Sequence, residues 1–250
     1  MPVDRSDAAP RELALSGFDT TQWSLVLASA GQSKDSAAAL DRLCRAYRAP
    51  VLGYLRAQGH GIDAAEDLTQ AFFAHLLGHR LHELADPARG SFRAFLLSSL
   101  RHFVVSEQRR ESARKRGGEV LHVPLDGIRE PVADDSPELA FEREWAHTVI
   151  ARALHELRVE ARQADRLELF AVLSPFLFQP PAAEDYTRLG ERLGMASNTV
   201  AVAVHRLRQR LRKRVEEQIQ RTIGDAAQVS AEMAVLQRWM KRPPRSPSSV

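Results

Sequence analysis

Apolar residues along this chain recur at helical spacing almost throughout. Leu40, Leu43, Tyr47, Val51 and Leu55 form one stripe, which predicts an amphipathic helix over 36–55. Before it, Trp23, Val26, Leu27 and Ala30 predict a helix that begins at Thr20 or Thr21. Leu68, Phe72 and Leu76, with Ala65 one turn earlier, predict a helix over 63–77; Asp67, Thr69 and Gln70 point away from its core and Phe73 sits beside it. Phe92, Phe95, Leu96, Leu100 and Phe103 predict a long helix from Ser91 to Arg116. Phe141, Trp145, Val149, Ala153 and Leu157 give another stripe, followed by a short apolar helix over 167–178. Further on, Leu189 and Leu193 share a face, then Val200, Val204, Leu207 and Leu211, and finally Val229, Met233, Leu236 and Trp239. Strand-like alternation is nearly absent, so the fold class expected is all-α.

The breaks between stripes divide the chain. Pro50 should kink or split the 36–55 helix, because its ring blocks a backbone hydrogen bond. Asp63 with Glu66 three places later has the pattern of a capping box, and Ser91 can cap the helix that follows. Residues 78–90 read as a loop or short helical piece, and Pro180 and Pro181 end the 167–178 helix. Residues 117–137 hold two adjacent glycines, three prolines and the acids Glu119, Asp126, Glu130, Asp134 and Asp135 against Arg129 alone. This composition predicts an acidic linker between two helical domains, 19–116 and 138–222. Residues 1–18 read as a loose tail, and 223–250 as a last helix, after a break at Gly224 and Asp225, with a disordered tail.

Charge sharpens the picture at one place. The net charge is only +3, yet from Ser197 to Arg214 there is no acid, and His205, Arg206, Arg208, Arg210, Arg212, Lys213 and Arg214 stand off the apolar stripe. Gly194 precedes this segment where positive φ is wanted, and Ser197 has the chemistry of an N-cap. A short helix, a tight turn and a basic second helix make a helix-turn-helix whose second member can enter a DNA major groove. The alternative is a plain helical hairpin with a solvated basic face. The single cysteine, Cys44, excludes an intramolecular disulfide framework and reads as a small buried thiol. No apolar run approaches a membrane span, and the N-terminal residues lack a signal-peptide pattern, so the expected location is cytoplasmic, without membrane contact.

Three stretches together resemble the extracytoplasmic-function class of bacterial RNA polymerase sigma factors. They are Ala65-Glu66-Asp67-Leu68-Thr69-Gln70-Ala71-Phe72-Phe73, the Phe92-Arg93-Ala94-Phe95-Leu96 segment with the helix it opens, and Leu189-Gly190 through Arg210. The resemblance implies a protein that directs core RNA polymerase to promoters and melts them, without catalysis or a cofactor of its own. It implies that Asp67, Gln70 and Phe73 dock on the clamp helices of the polymerase β′ subunit. Arg101, His102, Ser106, Arg109, Arg110, Arg114, Lys115 and Arg116 would bind and open the minus-ten element of promoter DNA. Ser197, Asn198, Thr199, Ala201, His205, Arg206, Arg208 and Arg210 would read the minus-thirty-five element, with Ala201 limited to a thymine methyl. Many relatives carry Lys or Arg where this chain has Ala201 and Ala203, so base discrimination is expected to be modest. An anti-sigma factor or other regulator is a further expected partner.

Other classes fit less well. A transcriptional regulator that acts without polymerase would need the helix-turn-helix but not the 63–77 and 91–116 elements together. His75, His79, His82 and Glu83 invite a metal reading, since the first two histidines share a helical face. Gly78 interrupts them, and no cysteine or spaced carboxylate set joins them. There is no glycine-rich phosphate loop and no nucleophile–base arrangement, so no enzyme is expected.

Overall fold

The computed structural model describes residues 34–86, 89–116, 136–220 and 226–240, all in helices and the turns between them. The sequence readings for 1–33, for most of the acidic linker, for the break near Gly224 and for the C-terminal tail lie outside the described residues. In chain order the helices are α1 (Lys34–Ala57), α2 (Ile62–Gly78), α3 (Phe92–Arg116), α4 (Pro137–Gln163), α5 (Leu167–Leu173), α6 (Ala183–Leu193), α7 (Ser197–Gln220) and α8 (Ala226–Met240). Short 3-10 turns stand at Leu81–Leu84 and Ser174–Leu177.

Several local expectations are corrected. Pro50 neither splits α1 nor ends it; the residue is buried within an unbroken helix. The N-cap of α2 is Gly61 and no side chain caps it, so Asp63 lies inside the first turn and the Asp63–Glu66 capping box does not form. Glu66 pairs instead with Arg48 of α1. Thr69 is buried rather than turned outward, its hydroxyl donating back to the Ala65 carbonyl at 2.7 Å. The 167–178 segment is α5 plus a 3-10 turn, because Pro175 sits where the tighter turn begins. The Ser91 cap does form, its hydroxyl accepting from the Ala94 amide at 3.3 Å. Ser136 caps α4 in the same way, with Pro137 at the first helical position where its missing N–H costs nothing.

The apolar stripes meet in one buried cluster. It takes Leu43, Tyr47, Val51 and Leu55 from α1, Phe72 and Leu76 from α2, and Phe92, Leu96, Leu100 and Phe103 from α3. It also takes Phe141, Trp145, Val149 and Leu157 from α4, Leu211, Val215 and Ile219 from α7, and Met233, Leu236 and Trp239 from α8. The core therefore runs across the 117–135 segment and does not close separately on each side of it. The most extensive packing is α1 on α4. The two helices come close at Gly53, where a Cβ would stand 3.4 Å from the Ala140 carbonyl oxygen and 2.7 Å from Cγ of Glu144.

A buried ionic group ties the two halves as well. Arg93 of α3 is forked onto Glu232 of α8, with Nε and Nη2 each donating to one carboxylate oxygen at 2.9 Å. Its Nη1 lies 3.3 Å from Glu142 of α4, and its guanidinium stands 4.8 Å from the centre of the Trp145 ring. Burial disfavours the charge on Arg93, but the bonds to Glu232 outweigh it and the pKa is raised. A second, smaller apolar cluster (Val172, Leu173, Leu189, Val200 and Val204) joins α5, α6 and α7, and Leu207 bridges it to the large one.

Candidate nucleic-acid interface

Helix α6 begins with a polar clasp, the Asp185 carboxylate accepting from the Ala182 amide at 2.9 Å. It ends at Gly194, which is left-handed at φ 63°, a conformation that other residues adopt only at a cost. The Met195 amide then donates to the Gly190 carbonyl at 2.9 Å. Gly190 is required by proximity: a Cβ there would stand 2.6 Å from the Met195 carbonyl oxygen. The turn thus folds directly onto α6, and three residues, 194–196, separate α6 from α7. The Ala196 carbonyl accepts from the amides of Thr199 and Val200 at 2.8 and 3.1 Å. Ala196 therefore precedes the helix and Ser197 is its first residue, not its cap.

Helix α7 is sorted sharply by face. Val200, Val204, Leu211, Val215 and Ile219 are buried. On the other side Ser197, Asn198, Thr199, Val202, His205, Arg206, Gln209, Arg212 and Lys213 are exposed. The basic residues do not all remain available. Arg208 is half-buried and donates through Nε and Nη2 to the Phe176 carbonyl at 3.1 and 2.6 Å, so it holds α7 to the 3-10 turn. Arg210 and Arg214 both pair with Glu160 of α4. Arg214 also reaches Glu217 at 2.8 Å. Ala201 is half-buried. Of the eight residues named from sequence on this helix, Ser197, Asn198, Thr199, His205 and Arg206 stand together on the open face. Arg208, Arg210 and Ala201 are committed or partly covered. Glu160 lies outside the acid-free stretch in sequence but against it in space, which the local charge pattern does not reveal.

The basic end of α3 is a separate surface. His102, Arg109 and Arg110 are exposed, Ser106 is half-buried, and Phe103 is core, its ring edge-on to Phe72 at 5.6 Å. Arg110 pairs with Glu107 at 2.5 Å. Arg101 is exposed but donates to Glu138 of α4 at 2.8 and 3.1 Å. Burial raises the Glu138 carboxyl, but hydrogen bonds from its own backbone amide and from Arg101 reverse this and hold it below the usual glutamate value. Arg114, Lys115 and Arg116 fall in the last turn of the helix, and their side chains lie outside the described residues.

On α2, Asp67 and Gln70 are exposed one turn apart and Phe73 is half-buried beside them, its ring 5.4 Å from Phe72. The histidines nearby do not converge. His75 and His79 have ring centres 4.3 Å apart, while His82 is buried in the 3-10 turn with neither ring nitrogen hydrogen-bonded. Among the described residues no group of three or more His, Cys, Asp or Glu side chains is placed to hold a metal ion. Nor is any described helix long and apolar enough to cross a membrane. Comparison with known protein families, with curated proteins and with solved structures returns no match for this chain.

Proposed function

We propose that this chain is a sigma factor, which joins core RNA polymerase, brings it to promoters and helps open them. In this reading α6 and α7 are a helix-turn-helix, and the observation that carries the proposal is the open face of α7. Asn198, Thr199, His205 and Arg206 stand together near its N-terminus, flanked by exposed Arg212 and Lys213 and by no exposed acid of the same segment. Helix N-terminal residues of this kind reach base edges, while the cations further along meet phosphates. The tight turn at Gly190 and Gly194 supports the reading, because it fixes the angle at which α7 leaves its partner. The docking role rests on the sequence resemblance, and the exposure of Asp67 and Gln70 agrees with it. For α3 to hold the minus-ten element through Arg101, its pair with Glu138 has to open, so polymerase binding must part α3 from the start of α4.

Run-off transcription tests the proposal, using purified bacterial core polymerase with and without this protein on a library of promoter fragments. Promoter-dependent transcripts are expected, and Asp67→Ala with Gln70→Ala should weaken binding to core polymerase while leaving thermal stability unchanged. No transcripts, together with no binding to core polymerase, would move the reading to a DNA-binding regulator that acts alone.

A further inference from the structure

We infer that Val202 is a specificity-determining residue of α7 and that it takes the C5-methyl group of a thymine in the recognised duplex. The inference rests on the reading of α6 and α7 as a DNA-binding pair and adds to it a residue and a chemical target.

The position follows from helix geometry. At 100° per residue, Asn198, Val202, His205 and Gln209 fall within a narrow arc of α7, opposite the buried arc of Val200, Val204, Leu211 and Val215. Val202 lies inside that open arc and is 47 % exposed, the one large apolar side chain of α7 so exposed. It belongs to neither apolar cluster. A β-branched residue is a poorer helix former than Lys, Arg or Glu, so helix stability gives no reason for it there. Its neighbours one turn before and after are Asn198 and Arg206, and His205 and Gln209 lie beside it. Each of these carries hydrogen-bonding groups suited to base edges.

The surface chemistry selects the partner. An apolar protein face would not match an isopropyl group ringed by Arg206, His205, Asn198 and Gln209, with Arg212 and Lys213 beyond. A polyanion does match it, and the one apolar group that a DNA major groove offers is the thymine methyl. Ala201, the methyl-contacting residue expected from sequence, is half-buried and a full 100° round the helix. The methyl contact therefore passes to Val202. Four residues of helix rise about 6 Å, nearly two base-pair steps. The thymine should accordingly lie within about two base pairs of an adenine read by Asn198 or a guanine read by Arg206.

The test uses holoenzyme made from core polymerase and the full chain, on a promoter found by run-off transcription. Each thymine of the upstream element is replaced in turn by deoxyuridine, which lacks only the methyl. With the native chain, one replacement should weaken open-complex formation about 3- to 5-fold, the worth of the one buried methyl group removed. Val202→Ala should lose a similar factor on the thymine template and become indifferent to uracil at that position, with unchanged thermal unfolding. If Val202→Ala responds to every uracil as the native chain does, or loses the same factor on both templates, the methyl contact is wrong. A chain that yields no promoter-dependent transcript at all overturns the DNA-reading proposal itself, and this one with it.

Discussion

Replacing Glu232 by alanine should be among the most damaging single changes in the described structure. The residue is 6 % exposed, and both its carboxylate oxygens receive a donor from Arg93 at 2.9 Å. Losing one partner of a buried ion pair typically costs about 3–5 kcal/mol, because the other charge is left desolvated. Here the loss is softened, since Glu142 still lies 3.3 Å from Arg93 and the Trp145 ring still faces the guanidinium. The expected cost is therefore about 2–4 kcal/mol. Glu232→Gln keeps the shape and one acceptor and should cost about half as much. The double change Arg93→Met with Glu232→Leu removes both charges and should be less damaging than Glu232→Ala alone. Urea unfolding followed by far-ultraviolet circular dichroism measures all three, with the slope of stability against denaturant showing whether α8 still packs. Glu232→Ala within about 1 kcal/mol of the native chain, or a double-mutant coupling under about 0.5 kcal/mol, would refute the claim that this pair fastens α8 to α3.

Three further expectations follow from the geometry. Gly190→Ala drives a methyl into the Met195 carbonyl and should cost about 1–3 kcal/mol by thermal unfolding; on the proposed function, promoter-dependent transcription should fall to a greater degree than overall helix content. Burial, and after it the nearby Asp41 charge, pushes the Cys44 thiol up to about 11, so at pH 8 it should react with a disulfide reagent at least about tenfold more slowly than in the urea-unfolded chain; equal rates would contradict the burial. The depressed Glu138 carboxyl contributes stability above the ordinary glutamate value of 4.5 that is lost as pH falls through its lower folded value. Glu138→Gln should flatten that part of the stability–pH curve, and an unchanged curve would remove the Arg101–Glu138 pair from the account.

How far the chain could be read in advance depended on range. Helical periodicity is local, so the stripes through Leu43, Phe72, Phe92, Phe141 and Val200 located the helices and their buried faces correctly. Gly194 was legible because its requirement, positive φ at a helix end, lies in a few residues. Ser197 was misplaced by one position because the cap depends on which carbonyl opens the helix, and Ala196 does so. The basic face of α7 was only half legible. Nothing local to Arg208 or Arg210 reveals that Phe176 and Glu160 hold them, since those partners come from other elements. Periodicity also placed Thr69 outside and passed over Val202, because a stripe names the buried arc well and says little about its borders.

The continuity of the core sets an order of events during synthesis. The side of α1 around Gly53 is covered by α4, its most extensive partner, which is encoded well downstream. At about 5–20 residues per second a ribosome needs roughly 5–20 s to pass from Leu55 to Leu157. For that interval the α4-facing side of α1 stays open, although Tyr47 can already meet Phe92 of α3. A fragment that stops at Arg116 would leave the α4-facing side of α1 permanently uncovered and should self-associate, so the amino-terminal half is a poor candidate for expression by itself.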